Sequence, residues 1–290
     1  MTSDEVESTA AEAMISVLRP GRLAALLVLD SPHSGTLYPA DFDPAQPPER
    51  YRRAEDMYVD ELFGDAPALG LPLLKAHFGR IYCDVNRAFD DLDPSVLDDA
   101  SGLALAPSAK ARLGKGVVWT ATPPDGVPLL ARALPRAAYE ARLARCWHPY
   151  HEALARLLNE TRGSGQVFHL DLHSMQPVAN AMHEDATGSP RPDIVLSDRE
   201  GTSAAAGFLD AALAALDGLG FSVAVNDPFK GAEILRRHGN PAAGVHCLQI
   251  EVNRALYMDV EAYGKTAQFG DTRRRMAVFL ARLRDWSAGA

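Results

Sequence analysis

The chain has 290 residues, of which 47% are hydrophobic and 23% charged, and its formal net charge is −9. This composition is typical of a globular protein that is large enough to bury a substantial core. The acidic balance argues against a nucleic-acid partner, which needs clustered Lys and Arg, but it does not exclude a small anionic ligand. Because no internal repeat or linker divides the sequence, we expect residues 1–290 to form a single domain.

The cysteines and the first residues of the chain predict the cellular compartment of the protein. Cys83, Cys146 and Cys247 lie far apart and form no CxxC pair, which favours a reducing environment over a disulfide framework. The acidic residues that follow Met1 are not typical of a signal peptide. The apolar run over residues 23–29 is too short to span a membrane. We therefore expect a cytoplasmic protein without a membrane partner.

The first half of the chain predicts short strands separated by loops. The apolar run at residues 23–29 has the length of a strand and is continuous, which is typical of burial on both faces of a sheet. In chain order, we predict a weakly helical lead-in over residues 1–20, a strand over 23–29, an irregular loop over 36–50, a helix over 54–69, strands over 71–76 and 80–86 as a candidate hairpin, and loops over 88–130 with a short strand at 117–119.

The second half alternates between helices and strands. Its clearest helix is predicted over residues 137–161, where large apolar residues recur on one stripe. Further strands are predicted over residues 166–171, 194–196, 221–225 and 245–251, and further helices over 203–216 and 264–286. Strands that alternate with helices predict an α/β fold in which a parallel or mixed sheet is covered on both faces.

Three of the predicted strands end in polar residues that are capable of chemistry. These strands run into His33, His173 and Glu251. Sites in open α/β sheets lie beyond the carboxyl ends of strands, so convergence of the three side chains is expected. Imidazole is a common zinc ligand, and a nearby carboxylate such as Asp171 can orient it. For either histidine taken alone, a satisfied buried side chain is the alternative.

A catalytic zinc ion needs a third protein ligand and one open position. Glu55, Asp56 and Asp60 on the predicted helix over residues 54–69 are the acidic candidates. Asp56 and Asp60 would share one face of that helix, a turn apart. A solvated acidic helix face is the alternative.

Other catalytic motifs find little support in the sequence. The segment that begins at His151 starts like HExxH, but Ala155 stands where the second histidine is needed. The sequence has no GxSxG elbow, no GxxxxGK[ST] loop and no GxGxxG motif after a strand, which argues against serine-hydrolase, P-loop and dinucleotide sites.

Arg80 and Arg87 bracket the predicted strand over residues 80–86, and Asn86 lies next to Arg87 at its end. A guanidinium group binds a carboxylate through two parallel hydrogen bonds, and an asparagine amide can add another. The three residues are therefore candidates for a clamp on a substrate carboxylate. A structural ion pair between either arginine and a nearby aspartate is the alternative.

At these residues the chain resembles the N-formylglutamate amidohydrolase family, also called N-formylglutamate deformylases. The resemblance covers about residues 30 to 260, and it is specific because the stretches occur together in the expected order. The matching stretches are Ser31-Pro-His-Ser-Gly35, Glu55-Asp-Met-Tyr-Val-Asp-Glu-Leu-Phe63, Arg80 with Asp84-Val-Asn-Arg87, His148-Pro-Tyr-His151, Asp171-Leu-His-Ser-Met175, Pro192-Asp-Ile-Val195, Asn226-Asp-Pro-Phe-Lys-Gly231, and Gln249-Ile-Glu251 with Tyr257-Met-Asp259.

The family is similar in turn to the zinc carboxypeptidases and to aspartoacylase and succinylglutamate desuccinylase. The resemblance implies a zinc-carboxypeptidase-like, three-layer α/β/α fold with a mixed central sheet. It also implies zinc ligands at His33 and His173, a substrate-carboxylate clamp of Arg80, Asn86 and Arg87, and Glu251 as the general base.

The acidic ligand departs from the pattern of the wider group, because Thr36 stands where a carboxylate is expected. Asp56 is the substitute that the resemblance favours, with Asp60 and Glu55 as alternatives. Lys230 is a candidate for binding a second carboxylate, against the alternative of a solvated loop lysine. His151 is a candidate for supporting the metal site or for a plain role in the core, and Ser197 stands where glycine is expected.

The implied activity is metal-dependent hydrolysis of N-formyl-L-glutamate to formate and L-glutamate, a step of histidine degradation. Zinc is the expected metal, although another divalent ion would suit the same ligands. A deacylase that acts on another N-acyl amino acid is one alternative. A non-catalytic relative that binds a metal or an amino acid is the other, and Glu251 argues against it, because a binding protein needs no base.

Overall fold

A mixed sheet forms the centre of the fold in a computed structural model, which describes residues 13–163, 165–182 and 187–289. Within the described residues its seven strands follow the order β1-β3-β2-β6-β9-β7-β8, and β4 and β5 pair separately. Strands β3, β2, β6 and β9 run parallel, whereas β1 and the β7–β8 pair run antiparallel to their neighbours. The strands are β1 (Ile15–Leu18), β2 (Leu27–Ser31), β3 (Leu73–Ala76), β4 (Ala121–Thr122), β5 (Val127–Pro128), β6 (Val167–Met175), β7 (Ile194–Ser197), β8 (Val223–Val225) and β9 (Val245–Asn253).

The helices lie on both faces of this sheet. They are α1 (Pro48–Tyr51), α2 (Val59–Leu62), α3 (Ala109–Arg112), α4 (Arg136–Arg142), α5 (His148–Thr161), α6 (Ala206–Leu216), α7 (Glu233–His238) and α8 (Phe269–Ala288). A π-helical segment joins α4 to α5, and short 3-10 turns occur at Arg52–Ala54, Pro67–Leu69, Pro94–Val96, Pro241–Ala243 and Arg254–Leu256. No helix in the described part of the chain is both long enough and apolar enough to cross a membrane.

Each face of the sheet carries its own hydrophobic core. On one face, strand residues such as Leu170 and Leu248 pack with residues of α2, α6 and α8. On the other face, Val167 and Cys247 pack with residues of α4, α5 and α7. Cores on both faces explain why β6 is buried over its whole length. The predicted three-layer α/β/α fold with a mixed central sheet is confirmed.

The predicted lead-in over residues 1–20 is wrong where the structure describes it, because Ile15–Leu18 forms edge strand β1. This strand pairs antiparallel with β3, which completes one side of the sheet. A four-residue segment with three apolar residues gains more from pairing there than from an isolated helical turn. Residues 1–12 lie outside the described residues.

Two further predicted strands, over residues 80–86 and 117–119, are wrong. Residues 80–86 form turns in which the amide of Asp84 donates to Val117 O over 2.7 Å. The amide of Trp119 donates to Ile81 O over 3.2 Å, so the two loop segments satisfy each other without joining a sheet. Their apolar side chains are buried between loops, which explains why they resemble strand residues in the sequence.

The predicted helix over residues 54–69 is also largely wrong. After the 3-10 turn at Arg52–Ala54 the backbone extends at Glu55, and α2 begins only at Val59. Tyr58 precedes it with a left-handed φ of 65°, a conformation that a regular helix excludes. Asp56 and Asp60 therefore do not share a helix face.

The predicted helix over residues 137–161 forms, but it is interrupted by the π-helical segment Leu143–Trp147. Pro149 lies just beyond it, near the start of α5. A proline has no amide hydrogen and its ring clashes with the carbonyl one turn earlier, and a wide π turn relieves both problems. Trp147 Nε1 donates to Arg87 O over 2.9 Å, which ties this segment to the loop of residues 80–87.

Candidate metal centre and its cavity

The carboxyl ends of β2, β6 and β9 meet at one edge of the sheet. The parallel register of β6 and β9 places His173 beside Glu251. His33 follows β2, which lies between β3 and β6 in the sheet. The three side chains are each at least nine-tenths buried, and His173 and Glu251 line the cavity at this edge of the sheet.

His33, Asp56 and His173 form a compact group of metal-ligand type. The two Nδ1 atoms of the histidines lie 3.1 Å apart. Asp56 Oδ2 lies 3.0 Å from His173 Nδ1 and 3.4 Å from His33 Nδ1. In a tetrahedral zinc site with bonds of about 2.0–2.1 Å, neighbouring ligand atoms are about 3.3 Å apart. The spacing and the two-nitrogen, one-oxygen donor set therefore fit zinc.

Backbone contacts bring Asp56 to this group. The amide of Asp56 donates to His33 O over 2.9 Å. Ser34 Oγ donates to Asp56 O over 2.9 Å, so the two segments are joined twice. This contact between distant parts of the chain, rather than a helix face, places the carboxylate.

A carboxylate also contacts the Nε2 atom of each imidazole ring. His33 Nε2 hydrogen-bonds Asp84 Oδ1 over 2.8 Å. His173 Nε2 lies 2.8 Å from Asp171 Oδ1 and 3.2 Å from the amide nitrogen of Asn86. A carboxylate behind a histidine fixes the ring and leaves its other nitrogen as the lone-pair donor. Here the donors left by this arrangement are the two Nδ1 atoms that face each other.

The electrostatics of the cluster separate its carboxylates into two kinds. Burial acts to raise the pKa of Asp56, but hydrogen bonds with His173 and His33 and the charge of Arg80 hold it well below its usual value. Burial raises the pKa of Glu251 to about 7, with the negative charge of Asp56 adding to the shift and His173 opposing it. Asp56 is thus kept ionised, while Glu251 is poised to exchange a proton near neutral pH.

The other acidic candidates lie in different pairs. Glu55 accepts hydrogen bonds from Tyr38 and from the guanidinium of Arg52. Asp60 forms an ion pair with Lys75 on β3. Neither carboxylate belongs to the group that faces the two histidines.

The three residues of the candidate clamp all line the cavity beside the cluster. Arg80 contacts Asp84 over 3.1 Å and Asp56 over 3.6 Å, so it balances the buried acids. Asn86 Oδ1 accepts from the amide of Ile234 over 2.9 Å. Arg87 donates to the carbonyl oxygens of Lys115 and Asn86, which fixes its guanidinium at the cavity wall.

The sequence reasoning missed three further arginines that line the cavity, which are Arg53, Arg191 and Arg254. Arg254 donates to Asp56 Oδ1 over 3.0 Å and to Ser174 Oγ over 3.0 Å. It lies just past the end of β9, so the strand-end argument that selected Glu251 would also have selected Arg254. Arg191 lies before β7 and stacks on the ring of Phe229 at 4.8 Å; no local motif marks it.

The cavity has a volume of about 360 Å³ and is rich in cations. Eight arginine and lysine side chains line it among the described residues, in a chain whose net charge is −9. Lys230 is one of them, and its ammonium group contacts Glu200 over 2.7 Å. Because positive charge is concentrated in this cleft, an anionic ligand binds more favourably here than on the acidic remainder of the surface.

His151 lies away from the metal cluster. Its Nε2 hydrogen-bonds Val85 O and its Nδ1 hydrogen-bonds His238, each over 2.9 Å. Burial, together with the neighbouring His238, lowers the pKa of His151 to about 3, so the ring is neutral at physiological pH. It supports the backbone next to Asn86 rather than contacting a ligand atom of the cluster.

The chain matches known sequences over most of its length. The model of the family described as N-formylglutamate amidohydrolase matches residues 25–258. An N-formylglutamate deformylase of Pseudomonas aeruginosa is 30% identical over 81% of this chain and 83% of its own length. A protein of the same name from Pseudomonas putida is 28% identical over 82% of this chain and 83% of its own length.

Solved structures give the same picture. An N-formylglutamate amidohydrolase from Ralstonia eutropha JMP134 is 38% identical, with a TM-score of 0.90 over 95% of this chain and 98% of that chain. A gene product of Agrobacterium tumefaciens is 19% identical, with a TM-score of 0.62 over 97% of both chains, which indicates a shared fold alone.

Proposed function

The chain belongs to the N-formylglutamate amidohydrolase family and is an amide hydrolase, and we propose that it is a metal-dependent deformylase that releases formate from N-formyl-L-glutamate. The observation that carries the metal dependence is the triangle of His33 Nδ1, His173 Nδ1 and Asp56 Oδ2. The activity would serve histidine degradation, as the resemblance implies.

His33, Asp56 and His173 would hold the metal, with zinc as the best fit to their donor set. When bound, such an ion polarises a carbonyl group and increases the acidity of water. Asp84 and Asp171 keep the imidazoles in orientation, and Arg254 and Arg80 keep the Asp56 carboxylate ionised.

Glu251 is the proposed general base. It accepts a proton from water as the water attacks the formyl carbon, and then delivers that proton to the amine nitrogen of the departing glutamate. Its raised pKa, about 7, suits a group that must both accept and return a proton near neutral pH. Gln249 Nε2 donates to Glu251 Oε1 over 2.9 Å and so directs the carboxylate.

The substrate's two carboxylates match the cationic cavity. Arg87, Asn86 and Arg80 would bind the carboxylate nearer the scissile amide, because Asn86 also contacts the ligand His173. Lys230 would approach the other carboxylate. A fixed guanidinium loses little conformational freedom on binding, which favours affinity.

The proposal is tested on protein purified without chelators. We expect about one equivalent of zinc by elemental analysis and formate release from N-formyl-L-glutamate. Removal of the metal by a chelator should abolish formate release, and added zinc should restore it. Full turnover by metal-free protein would contradict the metal dependence, and a metal-loaded protein that leaves N-formyl-L-glutamate intact would contradict the substrate.

A further inference from the structure

The neighbouring strands β6 and β9 carry the same arrangement of side chains side by side. Their register pairs Asp171 with Gln249 and His173 with Glu251. On each strand the first residue of interest precedes the second by two positions, so all four side chains lie on one face of the sheet. Each of the four residues is at least nine-tenths buried, and Gln249, His173 and Glu251 line the cavity.

On both strands the earlier side chain contacts the later one. Asp171 Oδ1 lies 2.8 Å from His173 Nε2 on β6. Gln249 Nε2 donates to Glu251 Oε1 over 2.9 Å on β9. A carboxylate behind a histidine fixes the orientation of a metal ligand. In the equivalent position on the next strand, the amide of Gln249 fixes one oxygen of the proposed general base.

The neutral amide of Gln249 suits a position that is surrounded by acids. Burial raises the pKa of Glu251 to about 7, and the negative charges of Asp56 and Asp171 add to the shift. A carboxylate in place of Gln249 would add another like charge beside Glu251. Gln249 instead donates to Glu251 without adding charge.

The contact between Gln249 and Glu251 is exclusive on both sides. Gln249 Oε1 is buried and accepts no hydrogen bond from the described residues. In the same part of the chain, the bond from Gln249 is also the single hydrogen bond that the Glu251 side chain makes. The orientation of the Glu251 carboxylate therefore depends on one neighbouring side chain.

Glu251 lies beside a proposed metal ligand without joining the ligand group. Among the described residues that group consists of His33, Asp56 and His173, although Glu251 is the direct neighbour of His173 across the β6–β9 pair. A glutamate is itself a good zinc ligand. Bound to the metal, its carboxylate would no longer be available to accept a proton from water. The position of this carboxylate thus decides between two roles.

From this arrangement we propose that Gln249 is a positioning residue that holds the Glu251 carboxylate away from the group of His33, Asp56 and His173, so that Glu251 stays a base instead of becoming a fourth metal ligand. The inference rests on the proposed function and adds to it the residue that separates the two roles open to Glu251. It requires no contact between Gln249 and the substrate.

Gln249→Met tests the inference, because methionine has nearly the same length but lacks both polar atoms. Cobalt(II) in place of zinc reports the coordination directly, since its visible spectrum depends on the number and type of its ligands. We expect the spectrum of cobalt-loaded Gln249→Met to differ from that of the wild type, because Glu251 turns toward the metal. With zinc, kcat should fall about 10- to 100-fold at unchanged KM, the effect of a misplaced reacting group.

Transfer of zinc to a chelator gives an independent sign. Loss of a group that orients a ligand weakens metal binding, by about 10- to 100-fold in known sites. Gain of a carboxylate ligand has the opposite effect. We therefore expect Gln249→Met to release its zinc to a chelator more slowly than the wild type, and faster release would contradict the inference.

A double variant shows whether the effect of Gln249 runs through Glu251. In Gln249→Met combined with Glu251→Gln, the carboxylate that would turn toward the metal is absent. We expect this protein to have the cobalt spectrum and the kcat of Glu251→Gln alone, because two residues that act as a unit are not additive.

Ser203→Ala is the matched control. Ser203 is also a buried polar residue that contacts β9, where its Oγ donates to Cys247 O over 2.9 Å. The substitution removes this hydrogen bond without reaching Glu251. It should lower the urea midpoint of unfolding, and it should leave the cobalt spectrum and kcat as in the wild type.

The outcomes separate the inference from the proposed function. If Gln249→Met keeps the wild-type cobalt spectrum, whatever its kcat or urea midpoint, the positioning role is wrong and the proposed function stands. If its spectrum changes just as much when Glu251→Gln is also present, the new ligand is not Glu251 and the inference is wrong. If metal-loaded wild type leaves N-formyl-L-glutamate intact, the proposed function is wrong, and the cobalt spectra still decide where the Glu251 carboxylate lies.

Discussion

The metal-centre cluster of His33, Asp56 and His173 has a counterpart deeper on the same face of the sheet. There Asp30 Oδ1 contacts His169 Nε2 over 2.8 Å, and Asp30 Oδ2 accepts from Tyr150 over 2.7 Å. His169 and His173 lie on one face of β6, because alternate residues of a strand point the same way. Both clusters are buried and both pair imidazole with carboxylate.

The two clusters differ in whether their side chains pair with each other or direct ligand atoms toward one point. Burial acts to lower the pKa of His169, yet Asp30 raises it well above its usual value, so the two side chains of the deep pair carry opposite charges that compensate each other. In the metal centre two Nδ1 atoms and one oxygen face a common point beside a cavity. An imidazole next to a carboxylate therefore does not by itself indicate a metal site. The candidate site differs from the deep pair because its ligand atoms converge on one point.

Removal of a proposed metal ligand should show the largest difference between the two clusters. We expect Asp56→Ala to lose its zinc and to lower kcat by more than about 10⁴-fold, because it removes both the electrophile and the acidified water, each worth at least about 10². Asp60→Ala is the control, since Asp60 pairs with Lys75 outside the cluster. Elemental analysis and formate release measure both effects, and zinc retained by Asp56→Ala would exclude Asp56 as a ligand.

Glu251→Gln tests a carboxylate beside the cluster that should not hold the metal. Glutamine keeps the size and polarity of the side chain but lacks its basic oxygen. We expect normal zinc content with kcat lowered by about 10²–10⁴, the usual contribution of a general base. Loss of zinc would make Glu251 a ligand instead, and an unchanged kcat would remove it from the mechanism.

The deep cluster should respond to mutation in stability rather than in metal content. Asp30→Asn leaves the charge of buried His169 without its partner, which should lower the free energy of unfolding by about 3–5 kcal/mol. The zinc content of the folded protein should be unchanged. Urea unfolding with metal analysis measures both, and zinc loss without a loss of stability would mean that the two clusters are one functional unit.

The smallest expected effect concerns pH and the neutral pair of His151 and His238 beside the deep cluster. Burial lowers the pKa of each to about 3. Below pH 6.5 the unfolded chain binds protons that the folded protein rejects, so stability falls as pH decreases. Between pH 7 and pH 5 each histidine should cost about 2 kcal/mol. Urea unfolding of His238→Gln should show a correspondingly weaker pH dependence, and an unaltered dependence would contradict the neutral pair.

The comparison also shows what the sequence can predict. Buried strands and the residues that follow them are local features, so His33, His173 and Glu251 could be found from apolar runs that end in polar residues. Alternation alone could not separate His169 from His173, because they differ only in position along β6. The end of the strand, where the sheet opens to a cavity, makes the difference.

Asp56 illustrates what local pattern cannot provide. The spacing of Met57, Leu62 and Phe63 is typical of a helix, but those residues are buried around a left-handed Tyr58. The hydrogen bond between the Asp56 amide and His33 joins residues far apart in sequence, and no periodicity of the sequence predicts it. The cations of the cavity depend in the same way on tertiary packing.

The hydrogen bond from Arg254 to Asp56 has a consequence for the choice among metals. With Oδ1 engaged by the guanidinium, Asp56 presents a single oxygen to the site. Calcium takes about six to eight oxygen ligands and often uses both oxygens of one carboxylate. A site with two nitrogens and one oxygen satisfies neither requirement. If Asp56 holds the proposed metal, its hydrogen bond with Arg254 would therefore limit the number of oxygen ligands and disfavour calcium.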